Sequence, residues 1–199
     1  MPRLLLVRHG QSEWNAEGRW QGQADPPLSD LGRRQASVAA SALGTVDAVV
    51  ASPLERAHVS AEIISEALGV GPVLVDQDLQ ERHAGEWQGL TKGQIEDQYP
   101  GYLAEHRRPP GFEADDALLG RTLAALDRVA HALDGAEDVV VVTHGGVIYA
   151  VERHLGEEFE RIPNLAGRWV SHDADGLSIG DRVLLVDPDK VEITNPGQI

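Results

Sequence analysis

Leu4-Leu5-Leu6-Val7-Arg8-His9-Gly10 is the stretch that decides how this chain is read. Four consecutive apolar residues, without the alternation of a strand that has one wet face, describe a short strand buried on both sides. The run stops at Arg8-His9-Gly10, so polar chemistry begins where the strand ends. Further along, Val139-Val140-Val141-Val142 repeats the pattern and runs into Thr143-His144-Gly145-Gly146. Two buried strands that each end in His-Gly would deliver two imidazoles to the same rim of one sheet.

The segments between and around these strands fill in the architecture. Ser29 can cap a helix that carries Ala36, Ala39, Ala40 and Leu43 at helical spacing, with Gly44 to end it. Ala48-Val49-Val50-Ala51 reads as another buried strand. Ser52-Pro53-Leu54-Glu55 follows as a capping box with proline at the first helical position, opening a helix to about Leu68 with Gly69 beyond. Val73-Leu74-Val75 is a short strand, Gln80 to Gly89 is irregular, and Thr91 with Gln94 caps a short helix. Leu119, Leu123, Leu126, Val129, Ala130 and Leu133 form one helical stripe that closes at Gly135.

Leu177-Ser178-Ile179 and Val183-Leu184-Leu185, on either side of Gly180-Asp181-Arg182, predict an antiparallel hairpin at a sheet edge. The tail from Asp187 is expected to be loosely held. Strands alternating with helices make this an α/β fold: a three-layer sandwich, with a mainly parallel sheet, helices on both faces and an antiparallel edge strand, in a single domain over residues 1–199. In such sheets ligands bind beyond the carboxyl ends of the strands, which is where both His-Gly pairs fall.

The 199 residues are 42% hydrophobic and 25% charged, an ordinary globular balance. With 17 Lys and Arg against 32 Asp and Glu, the formal net charge is -15, which repels nucleic acid and anionic membrane surfaces. Neither is expected as a partner, and an anionic ligand must be caught by a few arginines gathered in one cleft. The absence of cysteine excludes disulfides, thiolate metal sites and a catalytic thiol. The apolar run after Met1 is too short for a signal peptide or a membrane span, so a cytoplasmic location is expected.

A histidine beside an arginine, followed by a glycine that lets backbone approach a ligand, suits a nucleophile facing an anion. Taken alone, His9 is more readily explained as a hydrogen-bonding residue at a strand end. His144 changes that balance. A metal between two imidazoles would need further His or carboxylate ligands, whereas the residues around His9 are Arg8 and Ser12, which suit phosphate, so no metal is expected. Arg56, one turn into the helix after Ser52-Pro53, can add a second guanidinium, although in isolation it reads as a surface arginine.

Several blocks now stand in a recognisable order. Arg8-His9-Gly10-Gln11-Ser12-Glu13-Trp14-Asn15 is followed by Arg19-Trp20-Gln21-Gly22, by Pro27-Leu28-Ser29 and by Ser52-Pro53-Leu54-Glu55-Arg56-Ala57. Glu81 with Gly85-Glu86-Trp87-Gln88-Gly89, and then Thr143-His144-Gly145-Gly146, complete the series. Together they resemble the signature of the histidine phosphatase superfamily, phosphoglycerate mutase-like branch. The resemblance implies that His9 attacks phosphorus in line while Arg8, Arg56 and His144 hold the phosphoryl oxygens. Glu81 would protonate the leaving oxygen and then activate water. It further implies substrate contacts from Asn15, Gln21, Gly22, Ser12 and Gly145, to which His83, beside Arg82, is added, and it implies no cofactor.

Two positions depart from the pattern or match it weakly. Many members carry Gly-Gly-Glu-Ser where this chain has Gly111-Phe112-Glu113-Ala114, which leaves the contact of Glu113 open. Asn164 stands where members often have an asparagine beside the pocket. Of the four tryptophans, read chiefly as packing residues, Trp14 and Trp20 lie in the signature loop near the mouth of the site.

The activity implied is a phosphatase acting on a small phosphorylated substrate. The short stretch between Glu81 and His144 favours it over a phosphoglycerate mutase, which the resemblance associates with longer insertions that retain the phosphoryl group. Leu79 to Gly101 also resembles glucosyl-3-phosphoglycerate phosphatases. A phosphate-binding module without catalysis is the reading of another class, and the joint presence of Arg8, His9, Arg56, Glu81 and His144 stands against it. The edge hairpin offers a surface for a homodimer.

Overall fold

β1 (Arg3–Arg8) lies inside the sheet, and Leu4 through Val7 are all at most 1% exposed, as an unbroken apolar run requires. The computed structural model describes residues 1–173 and 176–197. After β1 come α1 (Glu13–Glu17), α2 (Asp30–Ala40), β2 (Ala48–Ala51), α3 (Glu55–Leu68) and β3 (Leu74–Val75). Then follow α4 (Lys92–Gln98), α5 (Asp115–Ala132), β4 (Asp138–Thr143), α6 (Gly145–His154), β5 (Ala166–Asp173) and β6 (Gly176–Leu184). Among the described residues the sheet has six strands in the order β3-β2-β4-β1-β5-β6. β1 to β4 run parallel, while β5 is antiparallel to β1 and β6 to β5.

Alternate strand residues supply two separate cores. Leu5, Val7, Val49, Ala51, Val140 and Val142 pack with Ala39 of α2 and with Ala57, Ala61 and Ile64 of α3. Leu4, Leu6, Val50, Val139 and Val141 pack on the other face with Ala125, Leu126 and Val129 of α5 and Ile148 and Val151 of α6. The result is the three-layer α/β sandwich expected from the alternation of elements. In α5 Leu126, Val129 and Ala130 of the predicted stripe are buried as expected, whereas in the first half Leu118 and Thr122 are buried in place of Leu119 and Leu123, and Leu119 lines a cleft.

Three local expectations are corrected. Ser52 does not form a capping box: α3 starts at Glu55, its N-cap Leu54 makes no side-chain bond, and the Glu55 N–H is taken by Asp25 Oδ1 at 2.7 Å. The hairpin at the sheet edge is made by β5 and β6, and Gly180-Asp181-Arg182 lies within β6 rather than at its turn. The register there shifts, with Arg168 opposite Arg182 but Val170 opposite Ile179, so Gly180 and Asp181 are accommodated as an irregularity in the ladder. The tail is not loose over its described residues, 187–197: Val191 is buried, and Thr194 donates through Oγ1 to Asn164 Oδ1 at 2.8 Å.

Candidate active site

The parallel register of β1 and β4 sets Arg8 opposite Thr143, and the His9 N–H donates to the Thr143 carbonyl at 3.0 Å. The next residues on the two strands, His9 and His144, therefore meet, with ring centroids 5.1 Å apart and planes at 61°. His9 Nδ1 lies 2.6 Å from the Gly10 carbonyl oxygen. A carbonyl only accepts, so Nδ1 carries the proton and the neutral ring presents Nε2 as its lone pair. Burial, then Arg56 and Arg8, hold the His9 pKa well below the usual imidazole value, and burial with Arg56 does the same to His144. Both rings are neutral as a consequence.

Ser52, at the end of β2, bonds to His144. Its Oγ accepts from the Leu54 N–H at 3.3 Å and lies 2.8 Å from His144 Nε2. Serine oxygen and imidazole nitrogen share one hydrogen bond, in which either can be the donor.

Two guanidiniums flank the imidazoles. Arg8 is 2% exposed and donates through Nη1 to the Ile162 carbonyl at 2.7 Å. Arg56, fully buried in the first turn of α3, donates through Nη1 to Ala24 O and through Nη2 to Gly22 O, both at 2.8 Å. Burial lowers both pKa values, that of Arg56 to about 10, which still leaves each cationic at neutral pH. Gly22 has φ 54, and a side chain there would stand 2.7 Å from the Ala84 nitrogen, so only glycine lets this loop turn its carbonyl to Arg56.

Four buried polar atoms around this point have no hydrogen-bond partner in the protein: Arg8 Nε, Arg56 Nε, Asn15 Nδ2 and His144 Nδ1. Arg8 Nε, Arg56 Nε and Asn15 Nδ2 are N–H donors. Buried donors without acceptors are uncommon, and a group of them suits an anion.

Glu81 borders the same cleft. Its Oε1 accepts from the Arg82 N–H at 2.7 Å and its Oε2 from the Gly146 N–H, in the first turn of α6, at 3.1 Å. The cleft has a volume of about 900 Å³, far more than a phosphoryl group fills. Arg8, His9, Arg56 and Glu81 border it together with an aromatic wall of Trp20, Trp87 and Phe112. Trp20 and Trp87 meet edge to face at 5.1 Å. Lys92, Arg107, Arg108, Arg153 and Arg161 add cationic groups, so a chain of net charge -15 still presents arginines to one cleft. Asp115 collects three of the surrounding guanidiniums, Arg82 at 2.7 Å, Arg108 at 3.0 Å and Arg153 at 3.4 Å.

Of the residues singled out from sequence, Arg8, His9, Asn15, Gln21, Gly22, Arg56 and Glu81 border the cleft, and His144 is packed behind His9. Ser12, Gly145 and His83 do not border it. Ser12 caps α1, accepting from the Asn15 N–H at 3.0 Å and donating to Gln21 Oε1 at 2.7 Å, so it orients two lining side chains from below. His83 ties its own loop together, its Nδ1 accepting from the Gly85 N–H at 3.0 Å. Gly145 is buried in the first turn of α6, and Gly146 is the glycine that meets Glu81. Asn164 lies behind the site, donating through Nδ2 to the His9 carbonyl at 2.8 Å.

Sequence reasoning missed Gly146, the lining role of Trp87 and the convergence of arginines on Asp115. The second glycine after His144 was a usable signal, because a helix start exposes several N–H groups. Among the described residues, no group of three or more His, Cys, Asp or Glu stands together as a metal-ligand set, and no helix is long and apolar enough to cross a membrane.

A fold whose parallel strands end in two facing imidazoles, two buried guanidiniums and a carboxylate defines a class. The model of the histidine phosphatase superfamily (branch 1) matches residues 4–176, and the chain belongs to that superfamily as one of its phosphatases. It is 41% identical over 168 residues to a glucosyl-3-phosphoglycerate phosphatase of Mycobacterium tuberculosis, an alignment covering 77% of this chain and 74% of the relative. It is 34% identical over 194 residues to a metal-independent phosphoserine phosphatase of Arabidopsis thaliana, covering 92% and 79%. The solved structure of a mycobacterial glucosyl-3-phosphoglycerate phosphatase in complex with VO3 superposes with a TM-score of 0.82 at 30% identity, covering 91% of this chain and 98% of that one.

Proposed function

We propose that the chain, acting as a single domain, hydrolyses small phosphate monoesters of the sugar-phosphate or glycerate-phosphate kind through a phosphohistidine on His9. Glucosyl-3-phosphoglycerate is the first candidate substrate. The observation that carries this reading is the set of three buried N–H donors without partners, Arg8 Nε, Arg56 Nε and Asn15 Nδ2, with the unpartnered His144 Nδ1, beside a histidine whose Nε2 holds a lone pair.

In the first step His9 Nε2 forms a bond to phosphorus as the bond from phosphorus to the ester oxygen breaks. That oxygen takes a proton from Glu81, and the alcohol leaves. In the second step a water gives its proton to the Glu81 carboxylate while its oxygen bonds to phosphorus. The bond from phosphorus to Nε2 breaks, returning neutral His9, protonated Glu81 and inorganic phosphate. Arg8, Arg56, Asn15 and His144 disperse the charge on the equatorial oxygens in both steps. Rim arginines and the aromatic wall leave room for an anionic, partly apolar alcohol portion, which supports a glycerate or glycosyl glycerate leaving group over a bare phosphate.

The test is a hydrolysis screen of the purified chain over sugar phosphates, phosphoglycerates, phosphoserine and glucosyl-3-phosphoglycerate, with acid-labile phosphate trapped on the enzyme. Turnover with label on His9, lost in His9→Ala along with more than about 10³-fold of kcat, is expected. Conversion of 3-phosphoglycerate to 2-phosphoglycerate without net phosphate release would replace hydrolysis by mutase activity. No turnover of any ester, with phosphate still bound, would leave a binding module.

A further inference from the structure

The segment that carries Glu81 is irregular, with only the single 3₁₀ turns Gln77–Leu79 and Gly85–Trp87 around it. Its carbonyl groups therefore have no sheet or helix ladder to bond to and need other donors. Thr143 Oγ1 donates to Leu79 O at 2.8 Å and Gln23 Nε2 to Glu81 O at 3.1 Å, and one further side chain bonds three of these carbonyls. Arg121, on α5, donates through Nη1 to Asp78 O at 2.7 Å and Gln80 O at 2.6 Å, and through Nη2 to Glu81 O at 3.0 Å. Its Nε and Nη2 also form a paired contact with Glu113 Oε1 at 2.7 Å and Oε2 at 2.9 Å. All five N–H groups of the guanidinium are thus engaged, three of them on the backbone immediately before and at Glu81.

Glu113 extends the brace past Glu81, because its Oε2 also accepts the His83 N–H at 3.0 Å. Burial works against its ionisation, but the bonds from Arg121 and His83 hold its carboxyl below the usual range, so the pair stays charged. The helix behind Arg121 is anchored on the sheet by Ala125, Leu126 and Val129. By contrast, the Glu81 carboxylate is tied only to the N–H groups of Arg82 and Gly146, and the first of these belongs to the same loop.

We propose that Arg121, locked by Glu113, is the positioning residue that transfers the fixed geometry of α5 to Glu81, holding the acid in line with the ester oxygen. The inference rests on the reading of Glu81 as the acid and base. A misplacement of about 1 Å can cost on the order of 10²-fold in rate, which sets the size of the effect. Arg121 touches no reacting atom, so its contribution must follow the demand for protonation. Aryl phosphates with a stable phenolate leaving group demand little, and alkyl phosphates demand much.

The experiment compares kcat/KM, which reports the first step and not the hydrolysis of the common phosphohistidine, on p-nitrophenyl phosphate with that on O-phosphoserine or 3-phosphoglycerate, whichever turns over faster, for Glu81→Gln, Arg121→Gln, Arg121→Lys, Glu113→Gln and the Glu81→Gln/Arg121→Gln double variant. Arg121→Gln is expected to lose about 10²-fold of kcat/KM on the alkyl phosphate and less than about fivefold on the aryl one. Arg121→Lys should recover little, because a lysine cannot reproduce the fork. The double variant should be no slower than Glu81→Gln alone. If Arg121→Gln does not fold, Glu113→Gln carries the same comparison, with a smaller loss in the same pattern. Equal losses on both substrates, or additive losses in the double variant, would overturn the proposal. A Glu81→Gln variant that shows no leaving-group dependence would instead remove the acid role of Glu81, and the proposal with it.

Discussion

The N–H of Gly146 donates to Glu81 Oε2 at 3.1 Å, and a methyl group on that glycine would overlap Oε1 of the same carboxylate. The start of α6 and the Glu81 carboxylate are therefore fitted to each other at a place where no side chain can intervene. Gly146→Ala should push the carboxylate away from the cleft while leaving the helix intact, since alanine suits a helix better than glycine does. We expect kcat on alkyl phosphates to fall by about 10- to 100-fold with the melting temperature held or raised. Unchanged kcat, measured beside a thermal melt, would mean that Glu81 does not act from this position.

Buried neutral histidines also leave a mark on stability. In an unfolded chain the imidazole titrates near about 6.5, whereas in the fold burial and Arg56 hold both His9 and His144 well below that value. Between the two values the unfolded chain binds more protons than the folded one. The associated stability is complete above about pH 6.5 and is lost as pH falls toward the folded values, by up to about 1.4 kcal/mol per pH unit for each histidine. Thermal melts from pH 7.5 to 5 should show this slope, and His144→Asn should flatten it. For catalysis the sign is the same: His9 stays neutral and competent below pH 6.5, so ring ¹⁵N shifts at pH 6 should report neutral imidazole with the proton on Nδ1. A protonated His9 at pH 6 would contradict the assignment.

Arg56 has a double attachment that separates charge from shape. Its two terminal nitrogens are tied to Gly22 O and Ala24 O, which leaves Nε for an anion. Arg56→Lys keeps a cation but can neither span both carbonyls nor offer the planar edge. Activity should fall by about 10²- to 10³-fold, the usual cost of one lost donor to a developing charge. Stability should fall as well, by about 1–3 kcal/mol, because a buried carbonyl loses its partner. Urea melts and vanadate inhibition together check both halves, and loss of activity with stability intact would show that the loop around Gly22 holds without Arg56.

The histidines and the sheet were legible because both follow from short-range patterns. Apolar runs of four residues that stop at a polar, glycine-bearing end suit doubly buried strands, and parallel register of β1 and β4 then brings His9 and His144 together. What could not be read are contacts between residues distant in sequence whose partners are backbone atoms. Arg121 bonds carbonyls about 40 residues upstream, and nothing in the composition of either segment marks them. The tail failed for the same reason. It was expected to be loose, but Thr194 bonds Asn164, which in turn bonds the His9 carbonyl, so a segment far along the chain steadies His9. Ser52 was misread because the Glu55 N–H it was expected to cap is taken by Asp25, a residue distant in sequence, while its hydroxyl bonds the Leu54 N–H and His144.

Asp115 is the one carboxylate on which Arg82, Arg108 and Arg153 converge at the cleft. Burial disfavours its charge, yet Arg108 and Arg82 hold its pKa below the usual range, so it remains an anion among three cations. The surplus of positive charge suits a second anionic group on the substrate, for which Asp115 is an internal competitor. Asp115→Asn should therefore raise kcat/KM for 3-phosphoglycerate or glucosyl-3-phosphoglycerate, while p-nitrophenyl phosphate, which has no second anion, stays near the wild-type value. Arg153→Gln should do the reverse to the doubly anionic substrates. Half-exposed pairs of this kind are worth about 0.2–1 kcal/mol, so each change should be at most roughly fivefold and should shrink in high salt. A fall in kcat/KM for both substrate classes in Asp115→Asn would assign the carboxylate a structural role instead, holding the three segments that carry its arginines in place.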